Sequence, residues 1–493
     1  MTDTSTFVPA PIGTDRVPKD RPSSWALLII LAAAILVPAV VMFTGASAIT
    51  IGLMGIIMML GLVFVKAPVA VALVVPGLLG TLALRGPAAA ESALMDLPYN
   101  AVAEWTLSVI PMFVLMGLLL WQSGITTRVY GTAKSWLGWM PGGLAVGTNF
   151  AGAGLAAVSG SSIATTYALA RVGIPEMIKA GYDKRLAIVS VAVSGLPGQL
   201  IPPSIMLVIY AGIASVPVGP QLIAGLGPGI LVAIVFAIVL VAMSMVWPRL
   251  TNVNGGPRVR ETSTWSERWR SLLSAWPIPV LIGIIIGGIY TGTLTVTEAG
   301  AVAALLAVVL TVYYKRKDRP FAAIGSAAVS TAVSTGAIFL LLIGATMFSR
   351  MLTLSGVTRD LGEWITSTQM AAWQFLLLMA VIYLIMGMFL DPLAMMLLTV
   401  PILVPTLEAM DISLLWFGVF VVFMGELAVL TPPVGILAYI IHNITKDPAV
   451  NQGVNITLRD VFVAILWLMP ASVAIILLLI FFPEIATFLP SMG

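Results

Sequence analysis

The sequence predicts an all-α polytopic membrane protein with about 11 transmembrane helices, built from inverted repeats and carrying two re-entrant helical hairpins. Three observations predict it: apolar runs free of charge, two apolar segments interrupted halfway, and a proline–glycine pattern that recurs between the two halves. Of the 493 residues, 59% are hydrophobic and 9% charged, and mean hydropathy is +1.06. A water-soluble domain carries about a quarter charged residues, so a soluble core is excluded. The runs 25–65 and 186–248 contain no charged residue. A helix needs roughly 20 apolar residues to span hydrocarbon, so the second run holds at least two crossings. Neither run alternates apolar and polar residues, which excludes a membrane β-barrel.

Residues 1–24 form a polar cytoplasmic tail, with Arg16, Lys19 and Arg21 ahead of the first apolar run. The run 25–44 reads as an additional N-terminal transmembrane helix, because it exceeds the usual signal-peptide core of about 7–15 residues. Cleavage after Ala46-Ser47-Ala48 is the alternative. A first repeat covers 45–247, with crossings near 47–65, 67–84, 105–121, 186–214 and 221–247. Its hairpin, about 141–176, is broken at Ser159, Gly160, Ser161 and Ser162. A basic cytoplasmic loop, 248–275, follows. The second repeat, 276–493, has crossings near 276–290, 298–314, 321–348, 411–441 and 460–482. Its hairpin, about 371–408, is broken at Leu390, Asp391 and Pro392. With the N-terminus in the cytoplasm and the C-terminus on the opposite side, every Lys and Arg except Arg85, Arg350 and Arg359 falls inside or at the inner interface.

Sliding the chain by 230 residues carries Gly195, Leu200, Pro202 and Pro203 onto Gly425, Leu430, Pro432 and Pro433. It also carries Pro175 onto Pro405, and the first hairpin break onto 389–392. An odd number of crossings separates equivalent elements, so the repeats must be inverted. Such folds place solute and ion sites where broken helices meet near the midplane. Pro202, Pro203, Pro432 and Pro433 remove backbone donors and free carbonyls in the preceding turn. Gly160, Gly195 and Gly198 let the backbone unwind. Those carbonyls, with the hydroxyls of Ser159, Ser161, Ser162, Ser194, Ser204 and Thr431, are hard oxygen ligands suited to sodium. Half-helix N-termini offer partial positive charge to a carboxylate. For any one position, a proline kink or a serine packing helix on helix explains as much. Four interruptions related by a repeat favour a site.

Among ionisable groups in apolar surroundings, Glu426 beside Gly425 is the strongest candidate, since charge in a membrane is costly and often functional. Asp391 reads equally as a helix cap or a site residue. Glu298 reads as a carboxylate favouring its helix dipole, Lys66 as a snorkelling side chain, and Glu408 as solvated. The absence of cysteine removes disulfides and thiolate metal sites, and a lone histidine, His442, makes no metal cluster. There is no HExxH and no phosphate-binding GxxxxGK[ST] loop, which argues against an enzyme and leaves an ion gradient or a partner as the source of work. No basic, aromatic-interleaved patch suggests nucleic acid.

Several stretches resemble the large membrane subunit of tripartite ATP-independent periplasmic (TRAP) transporters. They are GYDKRLAIVSVAVSGLPGQLIPPSIMLVIYA (181–211), GIYTGTLTVTEAGAVAAL (288–305), LDPLAMMLLTVPILVPT (390–406), WFGVFVVFMGELAVLTPPVGILAY (416–439) and FFPEIATFLP (481–490). The resemblance runs from roughly residue 50 to the end. It implies sodium-coupled, elevator-type uptake of an organic acid across the bacterial inner membrane, with a periplasmic C-terminus. It also implies two partners, a small four-helix membrane subunit and a periplasmic substrate-binding protein. A stand-alone ion-coupled permease of the same fold is the alternative. Carried over by motif, the ion and solute positions are Ser159, Gly160, Ser161, Ser162, Gly195, Pro202, Pro203, Ser204, Asp391, Pro392, Thr431, Pro432 and Pro433. The chain departs from the family at several positions. Val296 stands where proline is frequent, Pro197 and Gln199 where small and aliphatic residues are usual, Met424 where asparagine is frequent, and Ala428 where glycine is.

Overall fold

A computed structural model describes residues 25–253, 263–432 and 435–492. The polar tail 1–24, part of the basic loop, and Pro433 lie outside the described residues. Every regular element among them is helical.

The chain opens with α1 (Trp25–Val41), α2 (Ala48–Phe64), α3 (Val69–Arg85) and α4 (Pro87–Val102). Ser47 starts α2 by accepting a hydrogen bond from the Thr50 N–H at 3.2 Å, which satisfies one orphan donor of its first turn. Next come α5 (Val109–Gln122), α6 (Ile125–Leu137), α7 (Gly143–Ser159), α8 (Ser162–Lys179), α9 (Lys184–Ser194), α10 (Ile205–Ile213) and α11 (Val218–Val246). The second part of the expected loop 248–275 is helical, α12 (Trp265–Ala275), and after it come α13 (Pro277–Tyr290), α14 (Val296–Tyr314) and α15 (Pro320–Ser355). The Thr295 and Glu298 side chains bond reciprocally at the start of α14, so Glu298 is a cap. The chain closes with α16 (Val357–Ser367), α17 (Ala372–Gly387), α18 (Pro392–Ala409), α19 (Leu414–Ala428), α20 (Ile436–Ile444), α21 (Pro448–Asn451), α22 (Leu458–Phe481) and α23 (Glu484–Thr487).

Among the described residues, 6 helices are long and apolar enough to cross a membrane, or up to 7 if α12 and α13, bent by 55°, count as one. Shorter apolar helices accompany them, including α2, α3, α7, α17 and α19. The expected runs 186–214 and 411–441 are each divided, into α9 with α10 and α19 with α20. The expected span 321–348 is longer: α15 has 36 residues, about 54 Å at 1.5 Å per residue, against a hydrocarbon core of roughly 30 Å. It packs along α3 and α5. Four further helices, α4, α6, α12 and α16, carry charges such as Arg128, Lys134, Arg268 and Arg359, and a search for charge-free runs passes over them.

Helix starts recur between the halves. α8 begins at Ser162 and α18 at Pro392, α9 at Lys184 and α19 at Leu414, the same 230-residue offset that pairs Gly195 with Gly425. The centre is made by α7, α9 and α19: residues 186–194 and 416–428 are buried without exception. Among the described residues, an ionic tie joins α9 to α22. Asp460, at the start of α22, accepts from Lys184 at 2.7 Å and from Arg185 at 3.3 Å.

Candidate functional site

The first hairpin turns at a glycine. α7 ends at Ser159, and Gly160 takes φ +64°, a left-handed conformation that ends a helix at little cost to glycine alone. Its N–H donates to the Ala156 carbonyl at 2.8 Å. Ser161 then caps α8, its hydroxyl accepting from the Ala164 N–H at 3.2 Å. The Ser159 hydroxyl lies 3.1 Å from that of Thr165. The second hairpin turns without a left-handed glycine. Asp391 caps α18, one carboxylate oxygen accepting from the N–H groups of Leu393 and Ala394, each at 3.0 Å. Pro392 occupies the first helical position, where its missing donor costs nothing.

Each hairpin tip is met by a broken helix. α9 stops at Ser194, a short helical turn covers Pro197–Gln199, and Ser204 caps α10 by accepting from the Leu207 N–H at 3.2 Å. The Pro202–Pro203 bond is cis. At Gly195, a Cβ would come within 3.0 Å of Ser162 Cα and Cβ. At Gly425, a Cβ would come within 2.9 Å of Pro392 Cβ. Positions 195 and 162 map onto 425 and 392 by one offset, so the same close approach is made twice. The Thr431 hydroxyl, just past the end of α19, donates to the Leu427 carbonyl of its last turn at 2.9 Å.

Between the two tips lies a cavity of about 470 Å³. It brings together Ser159, Gly160, Ser161, Ser162, Asp391, Pro392 and Glu426. Gly195, Pro202, Pro203, Ser204, Gly425, Thr431 and Pro432 are not part of its wall. The two glycines set the approach of helix to tip, while Pro202, Pro203 and Ser204 are buried behind. Pro433 is outside the described residues. Asp391 both caps its helix and faces the cavity, so its two readings are compatible.

Glu426 is 2% exposed. Its carboxylate lies within hydrogen-bonding reach of the Ser162 side chain, and its Oε2 has no hydrogen-bond partner among the described residues. Sequence reasoning missed the role of Gln199. With its amide turned so that the oxygen faces the two donors, Gln199 accepts from the N–H groups of Ser162 at 2.7 Å and Ser161 at 3.0 Å, and so closes the first turn of α8 from a neighbouring element. The available signal was its departure from an aliphatic residue. Ser334 of α15 also reaches the wall, and no Lys or Arg stands among the described residues lining it.

The arrangement can do little covalent chemistry. It offers hydroxyls, carbonyls at broken helix ends and two carboxylates, which suits reversible binding of an ion and a small solute.

Comparison with known proteins gives the family and the overall fold. The family described as tripartite ATP-independent periplasmic transporter, DctM component, matches residues 56–485. A C4-dicarboxylate TRAP transporter large permease protein from Pseudomonas aeruginosa is 30% identical over 83% of this chain and 92% of its own length. An ectoine/5-hydroxyectoine TRAP transporter large permease protein from Ruegeria pomeroyi is 29% identical over 87% of this chain and 96% of its own. The crystal structure of the Alcanivorax borkumensis YdaH transporter shares the fold, with a TM-score of 0.58 at 15% identity over 83% of this chain and 89% of that one. The chain therefore belongs to the TRAP transporter family as its DctM component, a large membrane permease and not an enzyme.

Proposed function

We propose that this chain takes up an organic acid across the bacterial inner membrane, coupled to sodium and supplied by a periplasmic substrate-binding protein. The observation that carries this reading is the duplicated contact of Gly195 with Ser162 and Gly425 with Pro392, on either side of one cavity. Two hairpin tips held identically by two broken helices make a symmetric gate, with one tip opening toward each side. The hairpins and their broken helices then move as one elevator-type body against α3, α5, α14 and α15. Last-turn carbonyls of α7 and the hydroxyls of Ser159, Ser161, Ser204 and Thr431 are the sodium ligands in this reading. A small four-helix subunit is the membrane partner, the N-terminus is cytoplasmic and the C-terminus periplasmic.

The test is uptake of radiolabelled acids into proteoliposomes under an inward sodium gradient, omitting each component in turn. Accumulation that needs both sodium and the binding protein is the expected result. Accumulation without a binding protein would turn the reading to a stand-alone permease.

A further inference from the structure

The two half-helices at the hairpin tips, α8 and α18, are the places where a membrane transporter would ordinarily meet an anionic solute with backbone N–H groups. Here both are already engaged by the chain itself. Gln199 takes the N–H groups of Ser161 and Ser162, and Asp391 takes those of Leu393 and Ala394. What faces the cavity instead is largely acceptor. Glu426 is buried with one carboxylate oxygen unpartnered, and Asp391, at the tip of the second hairpin, lines the same cavity. No Lys or Arg among the described lining residues offsets them. An unpaired buried carboxylate is costly, and a cation or donor placed against it offsets that cost.

We infer that the solute carried is a zwitterion, one carboxylate joined to a cationic nitrogen, and that Gln199 is a specificity-determining residue that enforces this choice. The cationic nitrogen lies against Glu426. The single carboxylate uses the Ser334 hydroxyl, which is not among the sodium ligands. A dicarboxylate finds no second donor pair, because Gln199 stands where its other carboxylate would go. With an aliphatic side chain at position 199, the Ser162 N–H is released and that of Ser161 keeps only the Ser159 hydroxyl at 3.4 Å. This inference rests on the proposed transport function and names the solute class of the same cavity.

The experiment is isothermal calorimetry on the purified full chain with its small membrane subunit, in sodium, with no binding protein to impose its own selectivity. Ectoine, a zwitterion, and succinate, a dicarboxylate, are the probes. The wild type is expected to bind ectoine at least tenfold more tightly than succinate. Gln199→Leu is expected to reduce that ratio at least tenfold by tightening succinate. Gln199→Glu, whose carboxylate takes the same two N–H groups, keeps the ratio. Tighter succinate binding by the wild type overturns the inference, as it would if sodium alone satisfies Glu426. A ratio unmoved by Gln199→Leu, or binding of neither probe, overturns it too. If Gln199→Leu does not fold, the wild-type ratio decides. Sodium-driven uptake of any carboxylate in proteoliposomes upholds the transport reading whichever solute wins, so the two can fail separately.

Discussion

At position 195 a single hydrogen stands where any side chain would press on the first turn of α8, and position 425 repeats this against α18. Overpacking at such a contact costs about 1–3 kcal/mol. Gly195→Val is therefore expected to lower thermal stability by that amount and to displace the first hairpin tip. A melting curve of the solubilised protein identical to wild type would remove the contact from the account. Asp391 invites a cleaner comparison. Asp391→Asn retains an acceptor for the Leu393 and Ala394 N–H groups, whereas Asp391→Ala forfeits the cap, worth about 1 kcal/mol. Equal melting temperatures for the two variants would mean that the cap contributes nothing. These roles were partly readable beforehand. The glycines and Asp391 stood out because they break apolar runs, but Gln199 closes a turn 38 positions earlier in the chain, and nothing local to it announces that partner.

The helices follow the same division. Runs without charge located α2, α3, α11, α13, α14 and α22 to within a few residues, because hydrocarbon imposes both their length and their composition. The breaks at 159–162 and 390–392 fall where the helices stop and restart, since glycine, serine and the Asp-Pro pair are terminating and capping residues. Helices with a charged face, α6, α12 and α16, escaped, as their composition is that of a loop or an interface. The tie between α9 and α22 was also invisible, since Asp460 and Lys184 lie far apart in the chain. Asp460→Ala removes acceptors from Lys184, Arg185 and Thr457. It is expected to cost about 2 kcal/mol, the value of a hydrogen bond to a charged group. A double-mutant cycle with Lys184→Met should show non-additivity, and strictly additive losses would dismiss the pairing.

The whole molecule is read as two halves of opposite orientation. The absence of cysteine from the sequence makes that orientation directly testable. Lys179 and Glu408 are both exposed at the ends of equivalent hairpin helices. Lys179→Cys should react with a membrane-impermeant maleimide only from the cytoplasmic side, and Glu408→Cys only from the periplasmic side. Reaction of both from one side would make the repeats parallel. Orientation and tip contacts together serve one claim, that two equivalent gates enclose a site loaded by sodium and an organic acid. The measurement that tests it most directly is sodium-gradient-driven acid uptake into proteoliposomes holding the complete transporter, comparing wild type with Gly195→Val and Gly425→Val. The account predicts accumulation by the wild type that collapses with the sodium gradient, and strong loss in both variants although each inserts and is recovered folded. Undiminished uptake in both, or wild-type uptake indifferent to sodium, would contradict it.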